Sequence, residues 1–281
     1  MTTTFPSMVG LRGSGEGAHT IAMRNSIAMV RKIAPKCRHH AGSLPQKDIH
    51  MPDTPRPCDT HPDLVGFKYP LPHLTQSLKR QRRTRIVAIG SSSTAGEGKI
   101  VPYPCRLELA LRDRFHGRLI DVLNRGIGGQ EAGDELARFE PDVIGEAPAV
   151  VIWQVGTNAV FRDGQYSFDD VAGLIATGLE WLAGLPIDVV PMDLQYTTAM
   201  VNRIKSAEDM VSRISAAAEN AHINVFRRFA LMKRWCLSGG IPIEELIDPI
   251  DPDHLHMSDW ATNCVTQALF GAIVGAPRPT A

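Results

Sequence analysis

From residue 85 onward one pattern repeats: a short apolar run, a polar turn, an amphipathic stretch of helical period, then another apolar run. The runs are IVAIG, LIDVL, AVVIWQV, DVVPMDL and INVF, beginning at Ile86, Leu119, Ala149, Asp188 and Ile223. Between and after them stand PCRLELALRDRF, EAGDELARFE, FDDVAGLIATGLEWLAGL, NRIKSAEDMVSRISAAAENA, RFALMKRWC and SDWATNCVTQALFGAIVG. Strands separated by helices cannot close as hairpins; they line up in parallel through right-handed crossovers, which covers both faces of the sheet. AVVIWQV is almost wholly apolar, as a strand covered on both faces must be. The expectation is an α/β protein with a doubly wound, five-stranded parallel sheet.

Composition limits what such a domain does. Thirty basic residues balance thirty acidic ones, with a pI near 7.1, so a general role in coating nucleic acid is disfavoured. No apolar run reaches bilayer length, so no transmembrane segment is expected. The cysteines, Cys37, Cys58, Cys105, Cys236 and Cys264, are scattered and include no C-x-x-C, which argues against a zinc or redox motif and leaves room for one disulfide. Residues 1–62 are rich in Thr, Ser, Gly, Pro, His and Met without sustained period, and IAMRNSIAMVRKIA is interrupted by charge where a signal peptide needs an unbroken apolar core. This stretch reads as a disordered or leader extension, with Met51 as an alternative start. Residues 63–84 read as an approach segment packing on the domain, in which Pro70 and Pro72 break any preceding helix. The cluster Lys79, Arg80, Arg82, Arg83 and Arg85 reads as a solvated helix end and polar link, since no nucleic-acid motif accompanies it.

In a doubly wound sheet, ligands sit beyond the carboxyl ends of the strands. Four loops fall there: GSSSTAGEG after the first run, NRGIGGQ after the second, GTNAVF after the third, and DPDHLHMS before the last helix. The first is not a phosphate loop. Gly98-Lys99 is followed by Ile100 rather than Ser or Thr, and Gly90 is followed by three serines, which excludes G-x-G-x-x-G. Three serines alone are more often a turn than a site. A serine at a strand-to-helix bend is nevertheless well placed as a nucleophile if a base reaches it. The last loop supplies one: Asp253 lies three residues before His256, so a carboxylate can orient an imidazole that faces the serine. Gly129 can offer a backbone N–H, and Asn158 a side-chain amide, to the oxygen that becomes negative in acyl transfer. His254 and His256 as a metal pair find no supporting third ligand, and no cofactor is called for.

Together the four loops resemble the blocks of the SGNH superfamily, the GDSL lipases/esterases. Gly90-Ser91-Ser92-Ser93-Thr94-Ala95-Gly96 is similar to G-D-S-x-[ST]-x-G, NRGIGG to the Asn-glycine block, Gly156-Thr157-Asn158 to G-x-N, and Asp253-His254-Leu255-His256 to D-x-x-H. The resemblance implies Ser92 as nucleophile, Asp253 and His256 completing a triad, and the N–H groups of Ser92 and Gly129 with the Asn158 amide as oxyanion hole. Two departures stand out: the family's Asp is Ser91 here, and Asp251-Pro252-Asp253-His254 is a second D-x-x-H in the same loop. Asp253 and His256 are preferred because HMSDW leads straight into the last helix with Ser258 as its cap.

The implied fold is a flavodoxin-like three-layer α/β/α with a five-stranded parallel sheet, its hydrolase domain spanning residues 85–276. The implied activity is cleavage of an ester, of short acyl group because no long apolar lid is present, with O-acetyl on a carbohydrate as one case. The partner is then a small-molecule or carbohydrate ester; no cofactor, metal or nucleic acid is involved. Acyl transfer to a sugar hydroxyl uses the same residues, and a non-catalytic binding module on the same fold is the competing class. A nucleotide-binding domain of flavodoxin type lacks its phosphate motif. Gln195 and Tyr196, after the fourth run, are placed to touch substrate. Relatives acting outside the cytoplasm leave a periplasmic, secreted or cytoplasmic location open. If the protein is exported, a Cys58–Cys264 disulfide is the pairing to test.

Overall fold

The structure is a computed structural model that describes residues 56–278; the extension before it, with its leader reading and the alternative start at Met51, lies outside the described residues. Strands β1 (Arg83–Gly90), β2 (Leu119–Gly126), β3 (Val150–Gln154) and β4 (Asp188–Met192) form one parallel sheet in the order β2-β1-β3-β4. The chain leaves β1 for β2 on one side, then crosses back to β3 on the other. The switch point between β1 and β3 opens a crevice at their carboxyl ends. Every residue of β3 and β4 is buried, as is β1 from Ile86 to Gly90, so both faces are covered.

Four long helices provide most of that cover: α1 (Tyr103–Arg114), α2 (Phe168–Ala183), α3 (Ile204–Asn220) and α4 (Asp259–Val274). α2 packs on α3, and α1 lies against β2 and α4. Two begin with serine caps: Ser167 accepts from the N–H of Asp170, and Ser258 from that of Ala261. Among the described residues no helix is long and apolar enough to cross a membrane.

The sheet has four strands, not five. INVF reaches it only as a single parallel bridge between Phe226 and Met192. Phe226 N–H donates to Pro191 O at 2.9 Å, and Asp193 N–H to Phe226 O at 3.3 Å. The next ladder bond would need an N–H at position 191, and proline has none. Asn224 is further occupied by its side chain, which accepts from Tyr69 N–H at 2.8 Å and donates to Tyr69 O at 2.9 Å.

The ordered contacts of the domain also start earlier than residue 63. Cys58 is joined to Cys264 of α4 in a disulfide. Trp260 Nε1 donates to Arg56 O at 2.9 Å, and Trp235 Nε1 to Asp59 O at 2.7 Å. The approach segment contributes a helix, Pro72–Arg80, that starts with proline at its first turn. Its His73 and Leu74 N–H groups donate to the Asp188 carboxylate.

Candidate active site

β1 ends at Gly90, and the chain turns at once into a single helical turn, Ser92–Ala95. The turn is held from two sides. Gln154, at the end of β3, accepts at Oε1 from Ser91 N–H (3.2 Å), Ser91 Oγ (3.1 Å) and Thr94 Oγ1 (3.3 Å). Asn124, near the end of β2, donates from Nδ2 to Thr94 O at 2.8 Å and Ala95 O at 3.2 Å, and accepts Gly126 N–H at 2.9 Å. Gly126 must be glycine, because a Cβ there would stand 2.1 Å from Ala95 N. Ser91, at the position of the family's aspartate, therefore points into the core and is 2 % exposed. Ser92 is the serine turned towards the last loop.

His256 Nε2 lies 2.9 Å from Ser92 Oγ. Its Nδ1 lies 3.1 Å from Asp251 Oδ2, and the Asp251 side chain is 8 % exposed. The same oxygen accepts the N–H groups of Leu255 and His256, each at 2.7 Å. Partial burial pushes the Asp251 carboxyl up, but those N–H groups and the imidazole outweigh it and hold it below the usual carboxylate range. The structure thus brings Ser92, His256 and Asp251 together. Asp253, preferred from the D-x-x-H spacing, is exposed, and its N–H donates to Asp251 Oδ1 at 3.2 Å. The cause is local: the loop bends at His254, whose φ is 50°, so the residue five back rather than three back comes under the ring.

The glycine loop after β2 lies beside the serine: a Cβ on Gly128 would come within 3.9 Å of Ser92 Cβ. Gly129 adopts φ 80°, a conformation open to glycine, and its carbonyl accepts from Arg162 Nη1 at 3.1 Å. Asn158, 4 % exposed, donates from Nδ2 to Gln130 O at 2.7 Å, which leaves its second amide hydrogen uncommitted. A narrow cleft of about 30 Å³ opens beside Ser92 and His256, walled by Gly96, Ile100, Pro102 and Met257. Glu97 stands at its edge, with Oε2 3.4 Å from His256 Nε2.

Gln195 does not face this cleft. It is fully buried, accepting at Oε1 from Thr157 Oγ1 (3.2 Å) and Arg228 Nη2 (2.7 Å) and donating to Leu255 O at 3.2 Å. Gln154 Nε2 donates to Thr157 Oγ1 at 3.3 Å, so Ser91, Gln154, Thr157, Gln195 and the Leu255 carbonyl form a buried chain from the serine turn to the histidine loop. The place predicted for a substrate contact is taken by a strut. Tyr196, 7 % exposed, packs edge-on against Phe229.

With this geometry in place, comparison with known proteins is informative. The model of the Non-GDSL lipase-like family matches residues 57–278. The chain belongs to that family. Its first matched residue, 57, falls within the Arg56–Asp59 segment described above. The uncharacterized lipoprotein YqeF of Bacillus subtilis (strain 168) is 34 % identical over 85 residues, which span 28 % of this chain and 35 % of that relative. Among solved structures, the acetylxylan esterase Axe2 of Geobacillus stearothermophilus superposes with a TM-score of 0.59 at 18 % identity, covering 68 % of this chain and 94 % of that one. LAE5, an alpha/beta hydrolase enzyme from the metagenome of Lake Arreo, Spain, gives a TM-score of 0.56 at 17 % identity over 69 % and 96 %. At these identities the likeness is one of fold: an α/β architecture with a parallel sheet, shared with esterase hydrolases.

Sequence reasoning named Asp251 only as the aspartate of the second D-x-x-H, paired with His254, and passed over Glu97 and Gln154; Asn124 carried a signal as the asparagine that opens the glycine block. The contacts of these residues are recognised only once the loops are folded against one another.

Proposed function

We propose that this chain is a serine esterase of SGNH type. The observation that carries the reading is the line Ser92 Oγ, His256 Nε2, His256 Nδ1, Asp251 Oδ2, with separations of 2.9 and 3.1 Å across its two hydrogen-bonding gaps. Ser92 Oγ attacks the ester carbonyl carbon while Nε2 takes its proton. Asp251, ionised, holds the ring and stabilises the imidazolium. The carbonyl oxygen, now negative, is met by the N–H groups of Ser92 and Gly129 and the free amide hydrogen of Asn158. Collapse breaks the bond to the alcohol, which leaves with the proton from Nε2. Water, deprotonated by the same nitrogen, then releases the acid and restores Ser92. The small cleft, lined by Ile100, Pro102 and Met257 together with Ser93, Glu97, Asp248 and Thr262, suits a short acyl group, and O-acetyl on a carbohydrate is the substrate class we favour. Axe2, of the same fold, is described as an acetylxylan esterase, and its solved forms include catalytic mutants with a serine, an aspartate and a histidine replaced by alanine.

The test is labelling with a fluorophosphonate probe and peptide mapping, on wild type and Ser92→Ala. The expected result is one labelled peptide carrying Ser92 and no label in the variant. Labelling at Ser91 or Ser93 would overturn the choice of serine. A folded wild type that takes no label would leave a non-catalytic module as the better account.

A further inference from the structure

The loop that carries Asn158 is held from behind by a carboxylate that the proposed triad does not use. Glu131 is 3 % exposed. Its Oε1 accepts Ala132 N–H at 2.9 Å and Gly156 N–H at 3.1 Å, and its Oε2 accepts Ala159 N–H at 2.5 Å. Gly156 to Ala159 form the start of the short helix Thr157–Phe161, whose first N–H groups have no partner within the helix. They are buried away from water, and Glu131 on the neighbouring loop accepts two N–H groups of this turn, those of Gly156 and Ala159. The preceding residue completes the grip, since Gln130 O takes one hydrogen of the Asn158 amide. That fixes the plane of the amide and so the direction of its other hydrogen. Gln130 directly follows Gly129, so the two loops that offer oxyanion donors are joined through the Gln130-Glu131 pair.

Glu135 lies behind, 1 % exposed, with Oε2 accepting Trp153 Nε1 at 2.7 Å. Burial, with the charge of Glu131 added, pushes the Glu135 carboxyl well above the usual range. Burial raises Glu131 too, against the pull of its N–H donors. Of the two buried carboxyls, Glu131, which accepts N–H groups from Ala132, Gly156 and Ala159, is the better stabilised as an anion.

We propose that Glu131 is a positioning residue of the oxyanion hole: its buried carboxylate sets Asn158 in place relative to Gly129 and acts on turnover through Asn158, without touching substrate. The inference rests on the esterase reading and adds to it a residue outside the four family blocks. A misplacement of about 1 Å at a reacting centre can cost on the order of a hundredfold.

The test is a double-substitution cycle with p-nitrophenyl acetate, using wild type, Glu131→Gln, Asn158→Ala and the pair, with melting curves for each. Glu131→Gln should lower kcat by roughly ten- to a hundredfold with KM within about twofold. In the Asn158→Ala background the same substitution should change kcat by less than about twofold, because the residue it acts through is gone. Glu131→Asp, which keeps the charge, runs the same cycle if the glutamine variant does not fold. Equal losses in both backgrounds, or a rise in KM at constant kcat, would assign Glu131 a purely structural role and overturn the inference alone. A wild type that neither hydrolyses the ester nor takes the fluorophosphonate overturns the esterase reading, and this inference with it.

Discussion

Exchanging Asp251 for asparagine separates the electrostatic part of the site from its scaffolding. Asp251 Oδ2 receives two backbone N–H groups at 2.7 Å and sits 3.1 Å from His256 Nδ1, while Oδ1 receives Asp253 N–H. An asparagine whose carbonyl oxygen takes the place of Oδ2 keeps the three inner contacts, including the one that orients the imidazole, and gives up only the outer bond from Asp253 N–H, which its NH2 cannot accept. The larger loss is the negative charge opposite the imidazolium that forms as Ser92 attacks. A unit charge pair at about 3 Å, in surroundings of effective dielectric between about 20 and 40, is worth roughly 3–5 kcal/mol. Taking about 4 kcal/mol gives a loss of roughly a thousandfold in kcat. The assay is the rate of fluorophosphonate labelling, which needs no knowledge of the natural substrate, followed by kcat on p-nitrophenyl acetate. Asp253→Asn is the internal control: its side chain is exposed, and its rate should stay within about twofold of wild type. The reasoning is refuted if Asp253→Asn loses the activity and Asp251→Asn retains it.

Two further perturbations follow from charges placed by the fold. Burial pushes the Asp193 carboxyl up to about 7, against the Phe229 N–H and the Arg228 charge. In the unfolded chain the same group ionises near 3.9, so the unfolded state loses the proton first; the folding stability it supplies is complete below about pH 4 and falls as pH rises towards 7, by about 1.4 kcal/mol per unit. The difference in denaturation free energy between wild type and Asp193→Asn should show this slope, and a difference flat from pH 4 to 7 would contradict it. At the mouth of the cleft, the Glu97 carboxylate beside His256 should disfavour anionic esters. Glu97→Gln should raise kcat/KM for p-nitrophenyl hemisuccinate relative to p-nitrophenyl acetate by about fivefold, the worth of about 1 kcal/mol of exposed charge repulsion. An equal change for both esters would count against that role.

The alternation of apolar runs with amphipathic segments was enough to place the turn after β1, the glycine loop after β2 and the G-T-N loop after β3 at one edge of a parallel sheet. A strand's end is marked in sequence wherever its apolar run stops, as at Gly90. Other features depended on what neighbours do. INVF has the composition of a strand, but its pairing is cut short by Pro191 on a different segment. D-x-x-H counts residues along the chain, whereas the ring finds its carboxylate through a bend at His254 that no spacing rule records. Gln195 follows β4 at the carboxyl end of the sheet. Arg228 and the Leu255 carbonyl, remote in sequence, draw its amide inward. The resemblance points to Ser92 among three serines; in the structure Gln154 claims Ser91, and Ser92 Oγ is the hydroxyl that lies 2.9 Å from His256 Nε2.

The staple formed by Cys58–Cys264 and Trp260–Arg56 clamps the helix that begins just after His256, and His256 lies 164 residues beyond Ser92. On a ribosome the serine turn therefore emerges long before its base. Under the esterase reading, Ser92 is an ordinary alcohol at the end of a strand until the loop ahead of α4 reaches it, and hydrolytic power appears only when the last part of the domain has folded onto the first.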